Sequence, residues 1–261
     1  MLSQETRDLI TKLDLPYCPV AVKFCFNRPE GYRLKDPKRP LCGCIKDVQE
    51  TGETYYIEAA EEGCMGKHVL GAVPIEPFAE SGAVGFHHGI FNQQACNARL
   101  YYDIQFFKEG TVNFVLFGPA AEVDFDPDLL IFVAPTDKAD IIMRATSFMT
   151  GDPYESKSTN VLGCHWLFNY PYMTGKVNFV ITGMHFGMKR QGYYPPGLHI
   201  ISIPFHKIPA FAAGLAQMEW SLPALSDDPA DKALVARYYE KFDKAHDKDF
   251  PVDPKDRVRH G

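Results

Sequence analysis

The 261-residue chain contains no Cys-x-x-Cys pair, so neither a zinc-ribbon nor a thioredoxin-type spacing is present. Gly-x-Gly-x-x-Gly and Gly-x-x-x-x-Gly-Lys-Ser/Thr are missing, which removes the glycine-rich phosphate cradles of nucleotide-binding proteins. There is no Gly-x-Ser-x-Gly nucleophile elbow and no His-Glu-x-x-His zinc motif. No apolar run approaches the roughly 18–20 residues of a membrane span. The opening residues, MLSQETRDLI, lack the apolar stretch of a signal peptide. Basic charge is in deficit: 27 Lys and Arg stand against 33 Asp and Glu, a net charge of -6. A nucleic-acid partner calls for the opposite balance. Together these absences predict a cytoplasmic protein with neither a membrane nor a nucleic-acid partner. With 46% apolar and 23% charged residues, the chain is globular rather than disordered.

Several elements are legible. Ser3 caps an amphipathic helix whose stripe is Leu9, Ile10 and Leu13. Val20 to Phe26 is β-branched and aromatic, hence a strand. Asn27 to Pro40 is a basic, proline-rich loop, and Asp228-Pro229 opens a last helix that precedes a charged tail, Asp247 to Gly261. The most informative feature is an internal repeat. Gly110 to Gly118 and Gly175 to Gly183 share six of nine residues, among them Asn113 and Asn178. Downstream, Pro127–Pro135 parallels Pro196–Pro204, and a helical pattern follows each. These features predict an α+β fold: a mixed sheet with helices and a pseudo-twofold repeat of strand-strand-helix units. The expected organisation is a single domain over 1–261. Its repeat units are about 96–150 and 164–220, and a cysteine-bearing part covers 16–90.

Seven cysteines in a reducing compartment are buried hydrophobes, reactive thiols or metal ligands. Cys25, among apolar strand residues, reads as a buried hydrophobe, and Cys18 between prolines carries no pattern. The other five stand apart. Cys42-Gly43-Cys44 pairs two thiols around a glycine, and Cys64 sits between Gly63 and Gly66. Cys96 and Cys164 precede the two repeated strands by 14 and 11 residues. A twofold repeat would bring such equivalent positions together. The expected site is one pocket lined by Cys96, Cys164, Asn113 and Asn178 and reached by Cys42, Cys44 and Cys64. His165 and Arg99 are expected at its rim to stabilise an anionic thiolate or ligand. His185, His199 and the pair His87-His88 are further candidates for ligand or proton-transfer roles.

The residues Cys42 or Cys44, Gly52, Cys64-Met65-Gly66, Leu70-Gly71, Cys164 and Ile203-Pro204 resemble the pattern of the uncharacterised prokaryotic domain-of-unknown-function 169 family. The resemblance runs from about Val20 to Leu215. It implies an oxygen-sensitive or redox role, because the family is found mainly in anaerobes and archaea. The family usually carries another cysteine where this chain has Met184-His185-Phe186-Gly187. The leading expectation is an iron–sulfur protein with a 4Fe–4S cluster held by four of Cys42, Cys44, Cys64, Cys96 and Cys164, since such clusters accept ligands far apart in sequence. Its partner would be a redox protein or a small-molecule substrate, and a homo-oligomer fits as well. Two alternatives stay open: a cofactor-free small-molecule-binding protein with structural thiols, and an enzyme with a cysteine nucleophile.

Overall fold

A computed structural model describes residues 2–35, 39–221 and 227–246. The charged tail 247–261 and part of the basic loop lie outside these. By its internal contacts the chain divides into two compact units, 1–218 and 219–261. The second unit contributes helix α11 (Pro229–His246).

The first unit is built on one seven-stranded mixed sheet in the order β2-β3-β4-β1-β5-β7-β6. Its strands are β1 (Val20–Cys25), β2 (Arg33–Leu34), β3 (Tyr55–Glu58), β4 (Phe114–Pro119), β5 (Leu129–Ala134), β6 (Asn178–Ile181) and β7 (His199–Pro204). Only β2 and β3 pair in parallel. Side chains alternate across the sheet, so Val20, Val22, Val115, Phe117, Leu129, Ile131 and Ile200 share one face. Helix α2 (Leu41–Thr51) packs there through Ile45 and Val48, as do Leu167 and Phe168. Phe132 points to the other face and meets Phe211, with ring centroids 5.5 Å apart. Helices α7 (Thr136–Phe148) and α10 (Ile208–Gln217) pack together there. Helix α1 (Gln4–Lys12) is capped as its sequence suggests, with the Thr6 amide donating to Ser3 Oγ at 3.2 Å.

The mixed α+β architecture is present, but the likeness of the two nine-residue stretches does not carry into their places in the sheet. β6 pairs directly and antiparallel with β7. β4 is separated from β5 by β1, which is antiparallel to both, so β4 and β5 run parallel. The strand-strand part of the expected unit therefore differs between the two copies. One step downstream the equivalent elements do pack against each other. β5 and β7 pair antiparallel with Phe132 opposite Ile201, and α7 meets α10 where a Cβ on Gly214 would stand 2.3 Å from the Ala145 carbonyl oxygen. Both residue pairs are 69 positions apart in sequence. β1 takes beside β5 the place that β6 takes beside β7.

The remaining short helices cluster beyond the sheet: α3 (Gly66–Val69), α4 (Pro77–Glu80), α5 (Ala83–His87), α6 (Gln94–Asp103), α8 (Tyr170–Thr174) and α9 (Phe186–Gln191). They supply most of the site.

Candidate cysteine-lined site

A cavity of about 430 Å³ opens among α2, α5, α6, α9 and the loops before α3 and α8. Cys42, Cys64 and Cys164 all line it. Each thiol arrives by a different route. Cys42 lies in the first turn of α2. Cys64 follows the buried Glu62, and Cys164 follows Leu162-Gly163. Leu162 holds a left-handed φ of 58°, an unfavourable conformation for a branched residue. A π-helical turn, His165–Asn169, begins just after Cys164, with the Tyr170 amide donating to the His165 carbonyl.

Glu62 joins two of these routes. Its carboxylate accepts from the Leu41 amide at 2.9 Å, the Cys64 amide at 2.8 Å and the Lys67 amide at 3.2 Å. It is 1% exposed. Burial raises its pKa, while the backbone donors at Cys64, Leu41, Lys67 and Gly66 oppose the shift. Gly66 is required here, because a Cβ would lie 2.5 Å from the Glu62 carboxyl carbon. Glu62 thus fixes the spacing of Cys42 and Cys64 without presenting a free charge to the cavity.

The three thiols affect one another. Burial raises the pKa of Cys42, followed by the charges of Cys64 and Glu62. Burial also dominates at Cys164, followed by Cys64, Glu62 and Cys42. Cys64 is raised by burial and then by Glu62, with Lys67 and Arg190 pulling the other way. All seven cysteines are unpaired. A thiol so placed is protonated near neutrality, and a metal cation would deprotonate it.

Other expected site residues lie elsewhere. Cys44 is buried in the main core, where burial pushes its pKa up to about 12. The cause is helix geometry: residues two apart point about 200° from each other, so Cys42 and Cys44 cannot face one cavity. Gly43 between them admits the Tyr193 hydroxyl, 2.7 Å from where a Cβ would sit. Cys96 is exposed on α6, its thiol 3.5 Å from Asn92 Oδ1, and does not line the cavity. Arg99 is a surface residue paired with Asp103 at 3.1 Å. Asn113 donates to the Phe26 carbonyl at 2.9 Å. Asn178, fully buried, accepts from the Lys157 amide and donates to the Lys157 and Trp166 carbonyls, holding the loop before Cys164 to β6. His165 is buried against Trp166, with ring centroids 4.7 Å apart, and is not on the cavity wall.

Three residues of the wall stand out. His185 is buried; its Nε2 lies 2.9 Å from Ser158 Oγ, and its Nδ1 has no hydrogen-bond partner. Asn97 is fully buried, and neither atom of its carboxamide has a partner. Leaving a buried polar group unpaired costs about 1–3 kcal/mol. Arg190, near the end of α9, has no carboxylate partner among the described residues. Asn97 and Arg190 carry no sequence motif; the only nearby signal was Cys96, one residue from Asn97 and on the wrong side of the helix. A second cavity, about 390 Å³, is lined by the closed ion pairs Lys176–Glu155 and Lys207–Asp152 and contains no thiol.

Burial lowers the pKa of both His165 and His185 to about 4. Between pH 6.5 and 4 the unfolded chain binds protons that the folded chain refuses, so stability falls as pH drops through that window. Each imidazole contributes a slope of up to roughly 1.4 kcal/mol per pH unit. Urea midpoints of metal-free protein at pH 7 and pH 5 are expected to show this loss; equal midpoints would contradict it.

Among the described residues, no three His, Cys, Asp or Glu side chains stand close enough to hold a single metal ion. No helix among them is long and apolar enough to cross a membrane. Fold and cavity together define an α+β protein, three of whose seven thiols line one pocket. The chain belongs to the domain-of-unknown-function 169 family: the family's model, described as uncharacterised ArCR, matches residues 8–214. No curated protein and no solved structure matches the chain.

Proposed function

We propose that the protein carries an iron–sulfur cluster of the 4Fe–4S type in this cavity and acts in a redox reaction on a small molecule bound beside it. One observation carries the reading: Cys42, Cys64 and Cys164, 22 and 100 residues apart in sequence, meet on one cavity. A cluster spreads its ligands over separate irons, so its thiolates stand farther apart than those around one ion. A cluster therefore does not require the single-ion chelate that is lacking among the described residues. Two histidines, His185 and His88, also line the wall, and His88 has its Nδ1 at the Val84 carbonyl; His185 is the buried one. With Nε2 held by Ser158, its free Nδ1 is the nitrogen available to a fourth iron. Bound there, the cluster would supply one-electron transfer. The chain's own part is to hold it, keep it from bulk water and place the substrate. Electrons would come from a redox partner protein in the reducing cytoplasm.

A thiol enzyme is disfavoured at Cys42 and Cys164, where burial raises the pKa and leaves little thiolate to attack; Cys64 is the exposed one of the three, raised by burial and Glu62 and pulled back by Lys67 and Arg190. The cofactor-free binding protein is favoured by one observation, the lack of a single-ion chelate among the described residues. Iron and acid-labile sulfide analysis of anaerobically purified protein separates the two. The expected result is close to four irons and four sulfides per chain, the content of one such cluster. Protein that holds no iron after anaerobic reconstitution would establish the cofactor-free reading.

A further inference from the structure

We infer that the same cavity recognises a small organic acid with an apolar body, through Asn97 and Arg190, and that a hydroxyl on that acid pairs with the Asn97 carboxamide. The inference stands on the cavity wall alone and holds with or without a cluster, so it fails separately from the reading above.

The cavity has the composition of a ligand site: apolar walls from Leu41, Met65, Val84 and Met188, with few polar groups. Asn97 is the most demanding of those groups. Its carboxamide offers two donors and an acceptor, and none is met by a well-formed hydrogen bond, although the Tyr101 hydroxyl lies near it. On its closed side it is pressed by Gly85, where a Cβ would stand 2.6 Å from Oδ1. Asn97 and Gly85 both line the cavity. A group that both donates and accepts, such as a hydroxyl, satisfies both ends of the amide; a bare carboxylate satisfies only the nitrogen.

Arg190 supplies the charge. It lines the cavity without a carboxylate partner among the described residues, and it is near enough to Cys64 to lower that thiol's pKa. The one buried carboxylate on the wall, Glu62, is already taken up by backbone amides. Tyr101, also on the wall, has its pKa raised by burial, a shift that the neighbouring Asn97 carboxamide opposes and the nearby Cys164 and Cys64 add to. A ligand held by Asn97, one turn away on α6, is therefore placed at the thiols.

The test uses anaerobically purified full-length protein and three probes in calorimetry: phenyllactate, its uncharged amide, and 3-phenylpropionate, which lacks the hydroxyl. Wild-type protein is expected to bind phenyllactate and to bind the amide at least about tenfold more weakly, the scale of a hydrogen bond to a charged group. Arg190→Gln should bind acid and amide alike. Asn97→Leu should bind phenyllactate and phenylpropionate alike. Asn97→Leu should also melt no lower than wild type, because it replaces an unpaired buried amide with an apolar group of similar size. A purely structural asparagine would give a lower melting point and unchanged phenyllactate affinity, and that result would overturn the proposal. So would wild-type protein that shows no phenyllactate binding up to about 10 mM, weaker than the millimolar range of ordinary substrate contacts.

Discussion

Serine at position 42, 64 or 164 should each lower retained iron at least about tenfold, while serine at 25, 44 or 96 should leave it unchanged. The first three thiols share the cavity wall; the last three do not. Cys44→Ser is the most informative control. It sits two residues from Cys42 but faces the core, so its expected effect is on stability alone. Cys44 is buried in the core with the Tyr55 hydroxyl beside its thiol, so a serine hydroxyl there can find one partner and the expected cost is about 1 kcal/mol. The expected outcome is thus a lower melting point with full iron content for Cys44→Ser, and lost iron for Cys64→Ser. Metal analysis and thermal melting on the six variants check both. Equal iron in all six would remove the cluster assignment.

Gly82→Ala is expected to destabilise the protein by about 2–4 kcal/mol and to weaken ligand binding with it. Gly82 has a φ of 83°, and a Cβ there would lie 2.2 Å from the Gln94 carbonyl oxygen and 2.4 Å from the Ala98 amide nitrogen. Both are backbone atoms of α6, so no rotamer change relieves the clash. The helix itself must move, and it carries Asn97 and Tyr101. Gly89→Ala separates strain from collision: its φ is 67°, but nothing lies within 4 Å of the added carbon. It should cost about 1 kcal/mol and leave binding intact. Equal melting of the two variants would contradict the close approach of α5 and α6.

Much of the sheet was legible because its strands are β-branched and bounded by prolines: Val20–Cys25, Leu129–Ala134 and His199–Pro204 lie where those patterns put them. The helices after β5 and β7 were legible for the same reason. Topology was not. The likeness of Gly110–Gly118 to Gly175–Gly183 reflects two strands that begin alike after a left-handed glycine, Gly110 and Gly175, and local similarity says nothing about which neighbour a strand finds. The site was legible by residue type and misleading by position. Cys42, Cys64 and Cys164 were among the five thiols singled out, but the side of a helix on which each falls decides membership. That removed Cys44 and Cys96 and brought in Asn97. Arg190 took the place expected for Arg99, because α9 ends at the cavity whereas the Arg99 side of α6 faces water.

The order of the strands also shapes how the molecule is assembled. β1, at residues 20–25, is flanked in the sheet by β4 and β5, roughly ninety residues later in the chain. The stretch between β1 and β4 holds Cys42, Cys64 and Asn97; it passes through β2 and β3 at one end of the sheet and returns to the sheet's middle only at β4. Closing so long a loop costs little more free energy than closing one half its length, but it delays the pairing that anchors it. Cys164 lies in a different stretch, between β5 and β6. The three thiols can therefore meet only after both stretches have been closed by the sheet. A nascent chain has no complete cysteine site to offer, so a cluster of the kind proposed would have to be inserted late, into protein that has already folded.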